Sequence, residues 1–122
     1  MILVDSSGWI EYLAARPKAD LFAPYIEGDE PLLSSVIQIY EIYKVVRRDV
    51  NEERAIEAIA ALRRTTIEPL VDSLALEAAD ISLEHGLAMA DAIILATAAR
   101  HDAEIVTGDV DFDGLPGVTL IR

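Results

Sequence analysis

The chain has 122 residues, 52% of them apolar, with six glycines, five prolines and no cysteine; this suffices for one domain with its own core and excludes a disordered tail, a fibrous repeat, disulfides, thiolate metal sites and a cysteine nucleophile. Ten Lys and Arg against 22 Asp and Glu give a net charge of −12, the opposite of the basic footprint of a passive nucleic-acid binder. Uncharged segments such as Ala92 to Ala99 are far too short to cross a bilayer, and no basic region followed by a long apolar run opens the sequence, so a soluble cytoplasmic protein without membrane contact is expected.

Met1 to Val4 is a short apolar run ending in Asp5 and Ser6, the pattern of a buried strand followed by a helix N-cap, which places Asp5 at a strand's C-terminal tip. Ser7 to Ala15 has helical spacing. A second short helix follows Pro17, with Leu21, Phe22, Tyr25 and Ile26 expected on its inner face, and Gly28 and Pro31 mark its end. Leu32 to Ser34 predicts a strand. Ser35 and Gln38 have the spacing of a capping box opening a helix to about Arg48, with Glu41 in its middle. The apolar residues around Glu41 are so dense that this helix is expected to be largely buried. Asn51 caps a helix through about Arg64, with Ile56, Ile59, Ala60 and Leu62 expected inward. Thr65 to Ile67 predicts a strand, and Asp72 or Ser73 opens a helix to about His85 that Gly86 closes. An apolar helix from about Met89 to Arg100 precedes two last strands, Ile105 to Thr107 and Val118 to Ile121. Strands alternating with helices, and apolar runs in place of period-two patterning, predict a parallel sheet covered on both faces. Ligands in such sheets bind beyond the strands' carboxyl ends.

Four carboxylates then stand out. Asp5 lies at a predicted strand tip, although an ordinary helix cap explains it as well. Asp91 is the only charged side chain between Gly86 and Ala99, where an unpaired buried charge would cost several kcal/mol, so a cation is expected to face it; the plainer alternative is a solvent-exposed Asp in a helix's first turn. Glu41 sits among Ile37, Ile39, Tyr40, Ile42 and Tyr43, with a surface pair to Lys44, worth about 0.2 to 0.5 kcal/mol, as its alternative. Asp109, Asp111 and Asp113 before Gly114 resemble the opening of a calcium-binding EF-hand loop. The twelfth position counted from Asp109 is Leu120, not Glu, and the flanking helices are missing, so that reading fails. Asp109 is instead expected to follow a strand tip, as Asp5 does. A receiver domain is disfavoured because no lysine ends a late strand, the only two being Lys18 and Lys44, and an Asp-x-Asp phosphatase because position 7 is Ser7.

Asp5 in ILVDSSGWIEYL, Glu41 in SSVIQIYEI, Asp91 in LAMADAIILATAARH and Asp109 in IVTGDVDF together resemble PIN-domain nucleases, and among them VapC toxins, over essentially the whole chain. The resemblance implies a three-layer α/β/α sandwich in a single domain over residues 1–122, with Asp5, Glu41, Asp91 and Asp109 holding one or two Mg²⁺ or Mn²⁺ ions. Ser6 and Thr107 would be supporting hydroxyls, and Asp111 either joins the acids or caps a turn. The substrate implied is RNA, cut to 5′-phosphate and 3′-hydroxyl ends. Hard cations prefer oxygen donors of this kind, and a bound metal can activate water and offset charge on the leaving oxygen. A catalytically silent metal- or partner-binding module is the alternative. The resemblance also implies a cognate antitoxin that lays an apolar helix and a basic side chain into the cleft. A homodimer is expected, with Leu21, Tyr40 and Tyr43 as candidate contacts. Arg16, Lys18, Lys44, Arg47 and Arg48 are the candidate substrate cations, though Arg47 and Arg48 read equally as favourable charges at a helix end. His85 and His101 fall at predicted helix ends and are assigned no catalytic role.

Overall fold

The computed structural model describes residues 1–122. In chain order it contains β1 (Ile2–Val4), α1 (Ser6–Leu13), α2 (Ala19–Ile26), β2 (Leu32–Ser35), α3 (Val36–Asp49), α4 (Glu52–Leu62), β3 (Thr66–Glu68), α5 (Asp72–His85), α6 (Met89–Arg100), β4 (Glu104–Thr107), a 3₁₀ turn (Val110–Phe112) and β5 (Val118–Leu120). The strands form one sheet in the order β3-β2-β1-β4-β5. Every neighbouring pair is parallel, with Leu3 opposite Leu33 and Ile105, and Val4 opposite Val106. The expected parallel α/β architecture is what forms, and no single helix is long and apolar enough to cross a membrane.

The two faces of the sheet follow from the alternation of side chains along each strand. Val4 and Val106 point to one side, into a core with Trp9, Phe22, Ile42, Val46, Ala55, Ala58, Ile59 and Leu62 from α1 to α4. Leu3, Leu33 and Ile105 point to the other, against Ile94 and Ala98 of α6 and Phe112 of the 3₁₀ turn. Behind α6, helix α5 packs through Leu74 and Ala78 on Ala92, Ile93 and Ala96. This gives helix, sheet and helix layers, with both faces of the central strands fully covered.

Helix boundaries follow the local signals. Ser35 and Gln38 form the expected capping box at the start of α3, Asn51 Oδ1 accepts from the Arg54 backbone N–H at 2.8 Å, and Gly86 closes α5 in the left-handed conformation at φ 68°. Helix faces are where the structure departs from expectation. In α4 the buried positions are Ala55, Ala58, Ile59 and Leu62, while Ile56 is 58% exposed and Ala60 is also exposed. The α3–α4 pair packs closely, and small Ala side chains take the contact that hydrophobicity alone assigns to Ile. Helix α3 buries only the Gln38, Ile42 and Val46 stripe and leaves Val36 and Tyr40 exposed, so it is not buried all round. Leu21 of α2 also faces out, and Phe22 is the side chain that enters the core.

Helix α1 lies unusually close to its neighbours at Gly8, where an added Cβ would stand 2.6 Å from the Phe22 ring and 2.8 Å from Val4 Cγ1. Gly8→Ala is therefore expected to destabilise the fold by about 1–3 kcal/mol through overpacking, in spite of alanine's better helix propensity. Urea unfolding would show this as a lower midpoint with an unchanged slope.

Candidate metal centre

The C-terminal tips of β1 and β4 lie side by side, and the backbone N–H of Asp5 extends their ladder by donating to Val106 O at 2.9 Å. Asp5 then turns into α1 and occupies the N-cap position, yet its carboxylate does not cap the helix. Its Oδ2 instead accepts from Thr107 Oγ1 at 2.8 Å and from Ser7 Oγ at 3.0 Å. Both hydroxyls have spent their single proton on that oxygen, so their own oxygens accept. Thr107 Oγ1 takes the Asp109 N–H at 2.9 Å, and Ser7 Oγ takes the Gly108 N–H at 3.2 Å. The loop carrying Asp109 is thus pinned to Asp5 through two hydroxyls. Asp109 Oδ1 continues the chain of contacts by accepting from the Asp111 N–H at 2.9 Å.

Helix α3 delivers Glu41 from the neighbouring strand β2. Gln38, fully buried one turn earlier, donates to Val4 O at 2.8 Å and fixes the helix against β1. Glu41 Oε1 accepts from Ser6 Oγ at 2.8 Å and makes no ion pair with Lys44, so the surface-pair alternative does not hold. Asp91 sits half-buried in the first turn of α6. Carboxylate oxygens of Asp91, Asp109 and Asp111 all lie within 4.8 Å of one another. The structure therefore makes its tightest acidic group from a trio that includes Asp111, the residue for which the sequence left a turn cap open. Asp5, 4% exposed, and Glu41 lie close enough to add their charge at Asp91.

No Lys, Arg or His pairs with any of these five carboxylates. The electrostatic consequences are consistent. Burial, then the charges of Asp109, Asp5, Asp111 and Glu41, push the Asp91 carboxyl up to about 7. Burial raises Asp5 as well, against the hydrogen bonds from Thr107 and Ser7 that favour its charged form, and it raises Glu41 against the bond from Ser6. Hard oxygen donors within one ion's reach, strained by mutual repulsion and lacking a protein counter-charge, fit a divalent cation of the Mg²⁺ or Mn²⁺ kind. Ser7 and Gln38 are functional neighbours that sequence reasoning missed as site residues. Ser7's only signal was its place beside Asp5, and Gln38 was legible only as a helix cap. His101 pairs with Glu68 at 2.9 Å and makes no contact with the site's acids.

A parallel α/β sandwich with acidic side chains gathered beyond the tips of its central strands defines an α/β domain with a carboxylate cluster that could hold a metal ion. The family model of the PIN domain matches residues 2–118, and the chain belongs to the PIN-domain family. No curated protein matches it by sequence. Among solved structures it is similar to a toxin–antitoxin complex from Klebsiella pneumoniae, at 28% identity and TM-score 0.80 over 98% of this chain and 96% of that one. It shares its fold with Mycobacterium tuberculosis VapC20, a sarcin–ricin loop cleaving toxin, at 19% identity and TM-score 0.82 over 97% of each chain. The same holds for VapBC2 from Rickettsia felis bound to a promoter DNA fragment, at 16% identity and TM-score 0.74 over 99% and 98%.

The raised Asp91 value sets a pH dependence for the metal-free protein. Its folded form binds a proton that the unfolded chain releases near 3.8, so this stabilisation is complete below that value and is lost as pH rises through about 7. With chelator present, Tm is expected to be higher at pH 5.5 than at pH 8. Asp91→Asn should flatten the difference and raise Tm at pH 8, and an unchanged pH slope in that variant would count against the mutual repulsion.

Proposed function

We propose that the chain is a metal-dependent endoribonuclease, hydrolysing RNA phosphodiesters to 5′-phosphate and 3′-hydroxyl ends, and the toxin of a type II toxin–antitoxin pair. The observation that carries this reading is the pocket of five carboxylates with no cationic side chain in contact. A phosphodiester could not approach such a site unless a cation reversed its sign. Asp5, Glu41, Asp91 and Asp109 are proposed as the acidic set, with Asp111 joining Asp91 and Asp109 as a metal-holding group. Mg²⁺ or Mn²⁺, when bound, supplies Lewis acidity toward water and the scissile phosphate.

The chain's own residues do the positioning. The hydroxyls of Ser7 and Thr107 fix one oxygen of Asp5 and leave the other for the pocket. Ser6 does the same for Glu41, so two acids from different elements are held without rotamer search when the cation arrives. The PIN-domain membership, the toxin–antitoxin complex at 28% identity and the RNA-cleaving toxin of the same fold support the reading. A cognate antitoxin is accordingly proposed as partner, and a cytoplasmic location fits a cysteine-free chain. Self-association is proposed as well.

Purified protein incubated with structured RNA should cleave it in Mg²⁺ or Mn²⁺ and stop in EDTA. Asp5→Asn and Asp91→Asn should each lose more than about 100-fold in rate and Ser6→Ala about 10- to 100-fold, the range for residues that orient metal ligands. Cleavage indifferent to chelator or to these substitutions would come from a contaminant and sink the assignment. Saturating Mg²⁺ should also raise Tm at pH 8, since a ligand at 100 times its Kd adds about 2.7 kcal/mol.

A further inference from the structure

Helix α3 carries a second chemistry on its outward side. Residues three, four and seven apart share a helix face, which aligns Tyr40 with Lys44 and Arg47, and Glu41 with Lys44 and Arg48. Three cations thus run along the helix from the carboxylate it gives to the metal centre, spanning about 10 Å from position 41 to 48 at 1.5 Å per residue. They line, with Ile39, Tyr40 and Tyr43, an open depression of about 690 Å³. Arg47 and Arg48 sit in the last turn, where cations favour the helix dipole, and both reach carboxylates, Glu52 at 3.9 Å and Asp49 at 2.7 Å. Neither explanation covers Lys44. It forms no ion pair with any acid in a chain of charge −12, and its Nζ lies 5.4 Å from the centroid of the Tyr40 ring. Tyr40 itself is 61% exposed, so much of its ring stands in solvent even with the Lys44 ammonium over it.

An unpaired cation beside an exposed aromatic ring, one turn from the metal centre, is the combination that holds single-stranded nucleic acid: charge tracks the phosphates and the ring stacks a base. We infer that the Tyr40–Lys44 face of α3 binds an unpaired stretch of RNA flanking the cleaved bond, with a base stacked on Tyr40 and a phosphate on Lys44. The inference deepens the ribonuclease reading and rests on it for the direction of the strand toward the acids. It makes Tyr40 and Lys44 positioning residues that select single-stranded over duplex substrate, because a base inside a helix cannot offer its face to the ring.

Binding of a fluorescent 12-nucleotide single-stranded RNA, followed by anisotropy in Mg²⁺ with every variant made in a non-cleaving Asp91→Asn background, tests this without requiring cleavage. Tyr40→Ala should weaken binding about tenfold, in line with the loss of one stacked base, and Tyr40→Phe should restore it. Lys44→Ala should lower the slope of log K against log salt by about 0.7, the value for one phosphate contact on a single strand. Binding of a duplex of the same sequence should be insensitive to Tyr40→Ala. Where cleavage is measured, KM for a single-stranded substrate should rise in both variants by more than kcat falls. Equal binding with and without Tyr40→Ala overturns the inference. So does a Tyr40→Ala protein that turns from dimer to monomer in light scattering with unchanged RNA affinity, which would make this face a contact between copies. Cleavage that persists unaltered in both variants leaves the nuclease standing and removes the docking face. Single-strand binding through Tyr40 and Lys44 without any cleavage does the reverse.

Discussion

One oxygen of Asp5 receives two hydroxyl protons, from Ser7 on α1 and Thr107 on β4, and the geometry of the acidic pocket descends from that arrangement. A buried carboxylate normally calls for a cation. Here half of its demand is met by neutral donors, whose own oxygens then accept the N–H groups of Gly108 and Asp109. The path of the chain beyond β4, and so the approach of Asp109 and Asp111 to Asp91, depends on how Asp5 is solvated by the protein. Removing the Thr107 hydroxyl would unseat a carboxylate and a loop at once.

The remaining charge is left unbalanced. Asp91 enters the pocket from the first turn of α6, where the helix dipole eases but does not cancel the repulsion of four other acids. The strain is greatest at Asp91, where burial acts first and the charges of Asp109, Asp5, Asp111 and Glu41 add to it. Against this negative centre, α3 holds Glu41 half-buried at the pocket and Lys44, Arg47 and Arg48 exposed one to two turns further along, so the two signs are separated along a single helix. A chain with 22 acidic and ten basic residues can in this way keep a local path for an anion without a basic surface overall. Net charge speaks of the whole surface, and the site is governed by charges within a few ångströms.

Much of this was legible in the sequence because the acids interrupt strongly apolar runs. Asp5 directly after Ile2 to Val4, and Asp91 within LAMADAIILATA, stand where an uncompensated charge is costly, and the parallel topology followed from apolar strands spaced by helices. What the sequence obscured has a common cause: it shows polarity but not distance. Asp111 reads as a turn residue in DVDFD until the 3₁₀ turn folds it toward Asp91. Ser7 and Gln38 look like ordinary cap chemistry until their partners, Asp5 and Val4 O, are known. The helix faces of α3 and α4 were misjudged because close helix approach selects Ala55 and Ala58, whereas hydrophobicity ranks Ile56 above them.

Gly8 has no atom in the pocket, yet it decides how deeply α1 can settle onto Val4 and Phe22. Ser6 and Ser7 ride on the same turn, so the height of the helix above the sheet is also the reach of their hydroxyls toward Glu41 and Asp5. The spacing of the acidic cluster is in that sense set by the bare backbone of a residue that takes no part in it, and any side chain there would act as a shim, tilting the hydroxyls of Ser6 and Ser7 from beneath.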